Sequence, residues 1–214
     1  MGRKNLNKDK VIEAAAQLVE EKGYAQLSVL ELASKLGIKS ASIYNYFTNL
    51  EEIEQSLGLF AVGRLVEELR QAMVGKTRGD ALMALAKAYV IFARQHPAWY
   101  KSFIDSHLVR KQETEKSIQA MVLLIFEAFA TFRMTEEQCV HWGRILRSTM
   151  HGFAALEGAG WFSHLPYELE TTYFIAIENI IVAVEAQERS NLLENRPCLD
   201  KPQEHFVPMV TSVK

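Results

Sequence analysis

The chain has 214 residues, of which 49% are apolar and 23% charged, and its formal net charge is -2 at pH 7. The apolar share is ample for a packed core, which argues against global disorder. The small net charge argues against a uniformly basic protein that coats nucleic acid. Residues 1–50 nevertheless hold seven basic and five acidic side chains, so the excess of positive charge lies near the N-terminus. This asymmetry favours an anionic partner for that region.

The cysteines and the N-terminal residues predict a soluble protein of the reducing cytoplasm. Cys139 and Cys198 lie far apart, with no spacing typical of a disulfide framework or a metal site. The first ten residues are polar and charged, unlike a signal peptide. Apolar runs such as residues 121–126 fall far short of the roughly 20 residues that cross a bilayer. We therefore expect no membrane partner.

Helical periodicity dominates the chain from its first apolar stripe onward. This stripe consists of Val11, Ala14, Ala15, Leu18 and Val19. Its spacing is typical of a half-buried helix, which Asn7 is placed to cap and Gly23 to end. Ser28 and Glu31 stand at the spacing of a capping box and predict the start of a second helix.

A third short helix follows the second across a glycine. The apolar stripe of the second helix is Val29, Leu32, Ala33 and Leu36. Gly37 then permits a turn with positive φ, and the third helix is predicted to span residues 40–47. Two short helices joined in this way, after a first helix, are typical of a helix-turn-helix. An ordinary helical hairpin is the alternative interpretation.

The third helix carries side chains that suit a DNA groove. Ile43 and Phe47 are expected to face inward, while small and hydrogen-bonding residues occupy the other side. Ala41 can touch a thymine methyl group, and Asn45 can pair with adenine. Neighbouring tyrosine and lysine side chains can bind phosphates. The predicted DNA-binding residues are Ser28, Lys39, Ser40, Ala41, Ser42, Tyr44, Asn45 and Tyr46.

A long helix and several amphipathic helices are predicted after residue 48. Asn49 and Glu52 repeat the capping spacing and open a helical run to about residue 74, which would extend ~35 Å. Gly58 and Gly63 interrupt this run, and we interpret them as flex points. Tight packing against a neighbouring helix is the alternative. Further apolar stripes predict helices over residues 82–93, 118–132 and 140–153.

Boundaries of the later helices are marked by proline and by caps. Pro97 ends the helix that begins near residue 82, because proline disfavours helical geometry in the residue before it. Thr135 and Gln138 form another possible capping box. Beyond about residue 190 the periodicity vanishes and prolines gather, which predicts a flexible tail.

The last predicted helix, about residues 168–189, is apolar on more than one face. Such a helix must be covered, and a symmetric partner is the natural cover. Burial within one chain is the alternative. The predicted dimer-interface residues are Phe153, Tyr173, Ile177, Ile180, Ile181 and Val184.

An ordered block of residues runs through the first three helices: Gly23-Tyr24, Ser28-Val29, Leu32-Ala33, Leu36-Gly37-Ile38 and Ile43-Tyr44-Asn45-Tyr46-Phe47. This block, within residues 10–53, resembles the TetR family of bacterial transcriptional regulators. The resemblance implies a DNA-reading domain, a larger helical domain that binds a small effector, and dimerisation through the last two helices. The family usually has a lysine where this chain has Leu50, so one phosphate contact is either missing or supplied by Lys8 or Lys10.

The C-terminal half resembles the TetR subgroup whose ligand domain carries a Trp-His-Gly-type signature. The residues that carry this resemblance are Arg147 to Phe153, Leu156-Glu157, and His96-Pro97 with Tyr100. A ligand pocket needs apolar walls and a few convergent polar groups. The predicted effector-binding residues are Phe92, Tyr100, Phe103, His107, Phe126, Phe129, Arg147 and His151. Core packing is the competing interpretation for each of them.

Several other chemistries are disfavoured by the sequence. His141 and His151 are ten residues apart, which is not a metal-ligand spacing on a helix. The fragment Gly75-Lys76-Thr77 lacks the first glycine of a phosphate-binding loop, because Arg70 stands there. No glycine-flanked serine elbow is present. We therefore expect no metal, no cofactor and no enzymatic activity.

The sequence thus predicts an all-α protein of about nine helices. The predicted division is a helix-turn-helix DNA-binding domain at residues 1–50, an effector-binding and dimerisation domain at residues 51–190, and a flexible tail at residues 191–214. We expect a homodimer that represses transcription from a palindromic operator in double-stranded DNA until a small apolar or amphipathic effector releases it. An activator of the same family, a dimeric ligand-binding module without sequence-specific DNA binding, and a helical enzyme of unrecognised type remain alternatives.

Overall fold

The computed structural model describes residues 6–105, 112–164 and 166–194. These residues form nine α-helices and one short 3-10 turn, with no strand among them, which confirms the predicted all-α class. The helices are α1 (Lys8–Lys22), α2 (Val29–Leu36), α3 (Ser40–Ile43), α4 (Leu50–Met73), α5 (Arg78–Gln95), α6 (Pro97–Asp105), α7 (Gln112–Phe129), α8 (Glu136–Gly158) and α9 (Leu169–Leu193).

The described residues fall into two compact units. The first unit lies within Met1–Leu65 and Phe92–Ser117, so it combines α1 to α3 with the first part of α4, the end of α5, and α6. The second unit lies within Val66–Ile91 and Ile118–Lys214 and holds the remaining helices. The chain therefore leaves the first unit in α4 and returns to it in α5.

The ends of α1 and the start of α2 are fixed by local hydrogen bonds. The Asn7 side chain accepts a bond from the Lys10 backbone N–H at 2.9 Å, which confirms the predicted cap. Gly23 ends α1 and donates its N–H to the Val19 carbonyl at 2.8 Å. At α2, Ser28 Oγ accepts from the Glu31 N–H at 3.2 Å. The Glu31 carboxylate pairs with a lysine of α1 instead of completing the predicted capping box.

The turn between α2 and α3 depends on Gly37. Its φ of +65° and ψ of +37° are left-handed, a conformation that L side chains adopt only with strain. Its N–H donates to the Ser34 carbonyl at 3.1 Å, and the Ile38 N–H donates to the Ala33 carbonyl at 3.0 Å. This bond pair is the Schellman motif, which satisfies the last carbonyls of α2. The predicted glycine turn is therefore confirmed.

The third helix is shorter than the sequence predicted. Regular α-geometry ends at Ile43, and residues 44–46 continue as turns. The reason is that Tyr46 and Phe47 both donate their N–H groups to the Ile43 carbonyl, at 2.9 and 3.1 Å, which tightens the chain. Ile43 and Phe47 are buried in the core of the first unit, as predicted.

Trp99 of α6 and His96, the residue before this helix, pack against α1. The Trp99 indole N–H donates to the Ala16 carbonyl at 3.0 Å. The His96 ring stacks on Trp99 with centroids 4.3 Å apart, and its Nδ1 lies 2.5 Å from a carboxylate oxygen of Glu20. Phe60 of α4 meets Trp99 edge to face, at 5.4 Å between centroids. The region formed by α1 to α3 is thus completed by a side chain from α6.

The second unit is held by close contacts between α5 and α9. The buried Tyr173 hydroxyl donates to the Ala86 carbonyl at 2.7 Å. Gly79 permits the helices to approach, because a Cβ there would lie 2.8 Å from Cγ2 of Ile181. Such a distance is too short for two carbon atoms, so only glycine fits without a shift.

A polar network joins the C-terminal part of α9 to the start of α5. The Arg78 guanidinium pairs with both Glu188 oxygens, at 3.3 and 2.6 Å, and lies 4.7 Å from the Phe132 ring centroid. Glu188 also accepts from the Arg133 backbone N–H at 2.8 Å. The neighbouring Asn191 donates to the Arg133 carbonyl at 2.8 Å. Arg78 adopts a positive φ of 55°, so its backbone strain is supported by this network.

Two sequence predictions about the later helices have different outcomes. The capping box of α8 is complete, because Thr135 Oγ1 accepts from the Gln138 N–H at 3.3 Å and Gln138 Oε1 accepts from the Thr135 N–H at 3.0 Å. Helix α9 continues to Leu193, past its predicted end near residue 189 and into the predicted tail. Asn191 is buried there, so this turn has packing partners. The rest of the predicted tail, including Cys198, lies outside the described residues.

The predicted dimer stripe of α9 lies inside its own chain. The side chains of Tyr173, Ile177, Ile180 and Val184 are all buried in the single chain. Phe153 packs on Tyr173 with ring centroids 4.9 Å apart, and Ile181 lies against Gly79. The prediction was wrong for the four buried residues, because periodicity identifies an apolar face but does not say which surface covers it.

Candidate DNA-binding and effector sites

The surface of α3 and the following turn presents most of the predicted DNA-binding residues. Ala41 and Asn45 are exposed, and Tyr44 keeps 55% of its surface. Lys39 is exposed directly before α3, while the two serines of the helix are half-buried. Because Ile43 and Phe47 anchor the opposite side in the core, the exposed side chains are held on a fixed backbone. Their contact with DNA stays a prediction.

Tyr46 differs from the other predicted contacts. Its hydroxyl donates to the Leu6 carbonyl at 2.9 Å, and the ring is partly buried against the core of the first unit. The side chain therefore fixes the segment that precedes α1. Tyr44 is the better placed of the two tyrosines for a phosphate contact, because its side chain is exposed. Ser28 Oγ is likewise engaged, since it caps α2.

Three of the lysines in the first unit are neutralised by carboxylates. Lys8 pairs with Glu52 at 3.0 Å, Lys35 pairs with Glu21 at 2.8 Å, and Lys22 pairs with Glu31. Leu50, which stands where the family usually has lysine, packs against the core of this unit. Since Lys8 is already paired, it is a weak substitute for that missing cation.

The Lys8 pair is part of the start of α4. Glu52 accepts from the Thr48 N–H at 2.6 Å, and its own N–H donates to Asn49 Oδ1 at 2.8 Å, so Asn49 caps α4 as predicted. The Thr48 N–H, followed by Lys8, lowers the pKa of Glu52 below its usual value. Glu52 thus ties the beginning of α1 to the beginning of α4.

The predicted effector-binding residues are divided between the two units. Phe92, Tyr100 and Phe103 belong to the first unit, where Phe92 and Tyr100 are buried. Four others belong to the second unit, namely Phe126, Phe129, Arg147 and His151. Phe129 is buried, whereas the other three are partly exposed. His107 lies outside the described residues. Effector contact by these residues stays a prediction.

His151 has a buried partner that the sequence did not reveal. The Tyr89 hydroxyl lies 3.3 Å from His151 Nδ1, so the two side chains are hydrogen-bonded across α5 and α8. Burial, together with the positive charge of Arg147, lowers the pKa of His151. Tyr89 lies within the helix predicted over residues 82–93, where the sequence gives no sign of a polar partner. Only the fold brings its hydroxyl to the histidine.

The outer faces of α8 and α9 expose several aliphatic side chains. Ile175 and Val182 of α9 keep 54% and 59% of their surface, and Ile145 and Leu156 of α8 are also exposed. Exposed apolar side chains on neighbouring helices are typical of protein interfaces. These residues replace the buried stripe as candidates for a dimer interface.

The described parts of the chain hold no group of histidine, cysteine and acidic side chains that could bind a metal ion. The same parts contain no helix long and apolar enough to cross a membrane. Cys139 is buried, which raises the pKa of its thiol to about 11 and keeps it protonated near neutral pH.

In the described residues, α2, the Gly37 turn and α3 have the arrangement of a helix-turn-helix, with Ile43 and Phe47 buried beneath it, and this motif is typical of DNA-binding proteins. Two family models match the chain: "Bacterial regulatory proteins, tetR family" over residues 11–56, and "Tetracyclin repressor-like, C-terminal domain" over residues 82–180. The chain belongs to the TetR family of transcriptional regulators. It is therefore a DNA-binding regulator and not an enzyme. The subgroup with the Trp-His-Gly-type signature stays a prediction.

Relatives agree with this assignment. The uncharacterized HTH-type transcriptional regulator YobS of Bacillus subtilis is 28% identical over 157 residues, which are 72% of this chain and 80% of that protein. Two solved structures, ActR from Streptomyces coelicolor in complex with (S)-DNPA and a variant of TetR from Acinetobacter baumannii AYE in complex with minocycline, each have a TM-score of 0.62 at 15% identity. Each match covers 86% of this chain and 99% of the other. At that identity the likeness shows the fold alone.

Proposed function

We propose that the protein is a dimeric repressor that reads a palindromic operator and is released from it by a small apolar or amphipathic effector. The observation that carries the proposal is the geometry of residues 40–47. Ala41 and Asn45 are exposed for base contacts, whereas Ile43 and Phe47 are buried and hold the helix in place. An Asn side chain can bond adenine in a bidentate manner, and Ala can contact a thymine methyl group.

A dimer with two-fold symmetry binds a palindromic operator, because each copy recognises one half-site. Two copies present two recognition helices to successive major grooves, about 34 to 36 Å apart. Two observations support a dimer. Members of the family act as dimers, and α8 and α9 expose aliphatic side chains that a second copy can cover. Repression then follows when the bound dimer blocks access to a promoter.

Release by an effector is supported by the relatives. ActR binds (S)-DNPA and the Acinetobacter protein binds minocycline, so helical bodies of this fold accept small organic molecules. In this chain the effector acts by preferring a conformer whose recognition helices no longer match the operator spacing. It can shift that equilibrium only by its difference in affinity for the two conformers.

The test is a selection of bound fragments from a random DNA pool at about 0.15 M salt, where counterion release suppresses weak phosphate-only binding. We expect an enriched palindrome with the wild-type chain. The Asn45→Ala variant, selected in parallel, should yield the same half-site spacing with one relaxed base pair. The absence of any enriched sequence with the wild type would contradict the proposal. A promoter fusion that carries the selected operator then tests repression directly.

A further inference from the structure

Arg147 is a half-buried cation in the second unit for which the described part of the chain provides no carboxylate partner. Arg78 of the same unit, although its side chain is 44% exposed, is compensated by both oxygens of Glu188. Burying part of a guanidinium without an anion costs free energy, because lost hydration is not replaced. The contrast shows that this fold can compensate an arginine and leaves Arg147 without such compensation.

Arg147 lies on the flank of α8 that also carries His151. It precedes this histidine by one helical turn, and His151 is hydrogen-bonded to the buried Tyr89 of α5. Arg144 and Ser148, on the neighbouring flank, are exposed. The flank that carries Arg147 is therefore the one directed toward α5.

The electrostatic surroundings point in the same direction. The lowered pKa of His151 has burial as its first cause and the charge of Arg147 as its second. An uncompensated positive potential thus acts on a second polar group, in a region where Leu146 and Met150 are buried. An anion placed here would gain a charge-assisted bond from a planar donor that suits carboxylate and phosphate oxygens.

We propose that the effector of this protein is an anionic amphiphile whose carboxylate or phosphate head pairs with Arg147, beside the Tyr89–His151 pair, while its apolar body packs against apolar side chains of the second unit. The proposal rests on the proposed function, because it names the chemical class of the effector. It also assigns Arg147 as the specificity-determining residue for the head group.

The experiment compares three probes of equal chain length, namely dodecanoate, dodecyl phosphate and dodecanol, each titrated below its micelle-forming concentration into the full-length DNA-free protein. Binding is measured by isothermal titration calorimetry. Hydrogen bonds to charged groups predict that one or both anions bind about 10- to 100-fold more tightly than dodecanol. The two anions distinguish a carboxylate site from a phosphate site.

Variants assign this preference to one residue. Arg147→Gln should reduce the ratio of anion to alcohol affinity to near one while leaving dodecanol binding unchanged. Arg147→Lys should retain part of the preference, because it keeps the charge without the planar fork. Arg144→Gln is the matched control, since it removes the same charge from an exposed position on the same helix. Thermal unfolding of each variant verifies that it is folded.

Several results would overturn the inference. It fails if dodecanol binds the wild type as tightly as the anions, if no anion binds, or if Arg147→Gln keeps the anion preference. It also fails if Arg147→Gln weakens the dimer and leaves probe binding alone, because Arg147 would then pair with the second copy. Operator binding is measured separately for every variant. A failed head-group inference is thereby distinguished from a failed repressor proposal, in which the wild type selects no operator.

Discussion

Tyr44 and Asn45 are adjacent in the chain and offer DNA different chemistry. Both are exposed, but a phenol hydroxyl suits a phosphate oxygen, whereas a side-chain amide can distinguish base edges. We expect Tyr44→Ala to weaken binding to operator and random DNA alike. Asn45→Ala should instead reduce the preference for one base pair by about 1–3 kcal/mol. Binding isotherms on single-base operator variants measure both, and equal losses on all DNA for Asn45→Ala would contradict its role.

The ion pair between Glu188 and Arg78 makes the stability of the protein depend on pH. Arg78 is the main cause that lowers the pKa of Glu188, and the Arg133 backbone N–H adds to it. A carboxyl whose pKa falls on folding stabilises the protein above its unfolded pKa, near 4.5, and that stabilisation is lost as pH falls through the lower folded value.

Replacing Glu188 should therefore destabilise the protein chiefly at neutral pH. We expect Glu188→Gln to lower the free energy of unfolding by about 2 kcal/mol at pH 7, a value reduced for the exposure of Arg78. The loss should shrink as the pH falls below 4.5. Urea unfolding at pH 7 and at a pH below 4.5 measures this loss of stability. The exposed Glu178→Gln substitution is the control. A loss of equal size at both pH values would show that the pair is not its source.

At the scale of helices, Gly63 gives a clean test of bending in α4. It is exposed, and a Cβ there would meet no atom within 4 Å, so tight packing does not require this glycine. Gly63→Ala should raise the free energy of unfolding by up to roughly 1 kcal/mol, because alanine favours helix. If α4 bends at this point during release, the variant should also need more effector to leave the operator. Unchanged effector dependence in a DNA-release titration would remove Gly63 from the mechanism.

Helix boundaries were largely predictable from the sequence, because their causes are local. Asn7, Gly37 and the Thr135–Gln138 box act on backbone groups within a few residues of themselves. The same reasoning made α3 too long, because it did not predict that the Tyr46 and Phe47 N–H groups share the Ile43 carbonyl and end the regular α-geometry there. The exposure of Ala41 and Asn45 was also predictable, because the position of a residue on a helix depends on its local spacing from Ile43 and Phe47.

Contacts between distant residues were not predictable in this way. Arg78 meets Glu188 across 110 residues, and Tyr89 meets His151 across 62. Nothing in the residue types selects these partners from other acids and hydroxyls in the chain. The apolar stripe of α9 shows the same limit, because a buried face and an interface face have the same period.

For the whole molecule, the exposed aliphatic face predicts the effect of new charges on assembly. Ile175→Glu with Val182→Glu places two charges on the outer surface of α9 without touching the core. If that surface joins two copies, the double variant should be a folded monomer, because an unpaired charge is costly in a dry interface. Analytical ultracentrifugation measures the mass. The exposed pair Arg64→Gln and Lys76→Gln, which lies outside α8 and α9 and changes the net charge by the same amount, serves as a control for charge alone.

The hydrogen bond from Trp99 to the Ala16 carbonyl also bears on which fragments of this chain are stable. The DNA-reading region ends near Phe47 in sequence, yet its packing includes a side chain from α6. A nascent chain obtains this indole only after α6 has been synthesised, and a fragment that stops in α4 lacks it. We therefore expect the first three helices to be less stable in a fragment or fusion protein that omits α6 than in one that includes it.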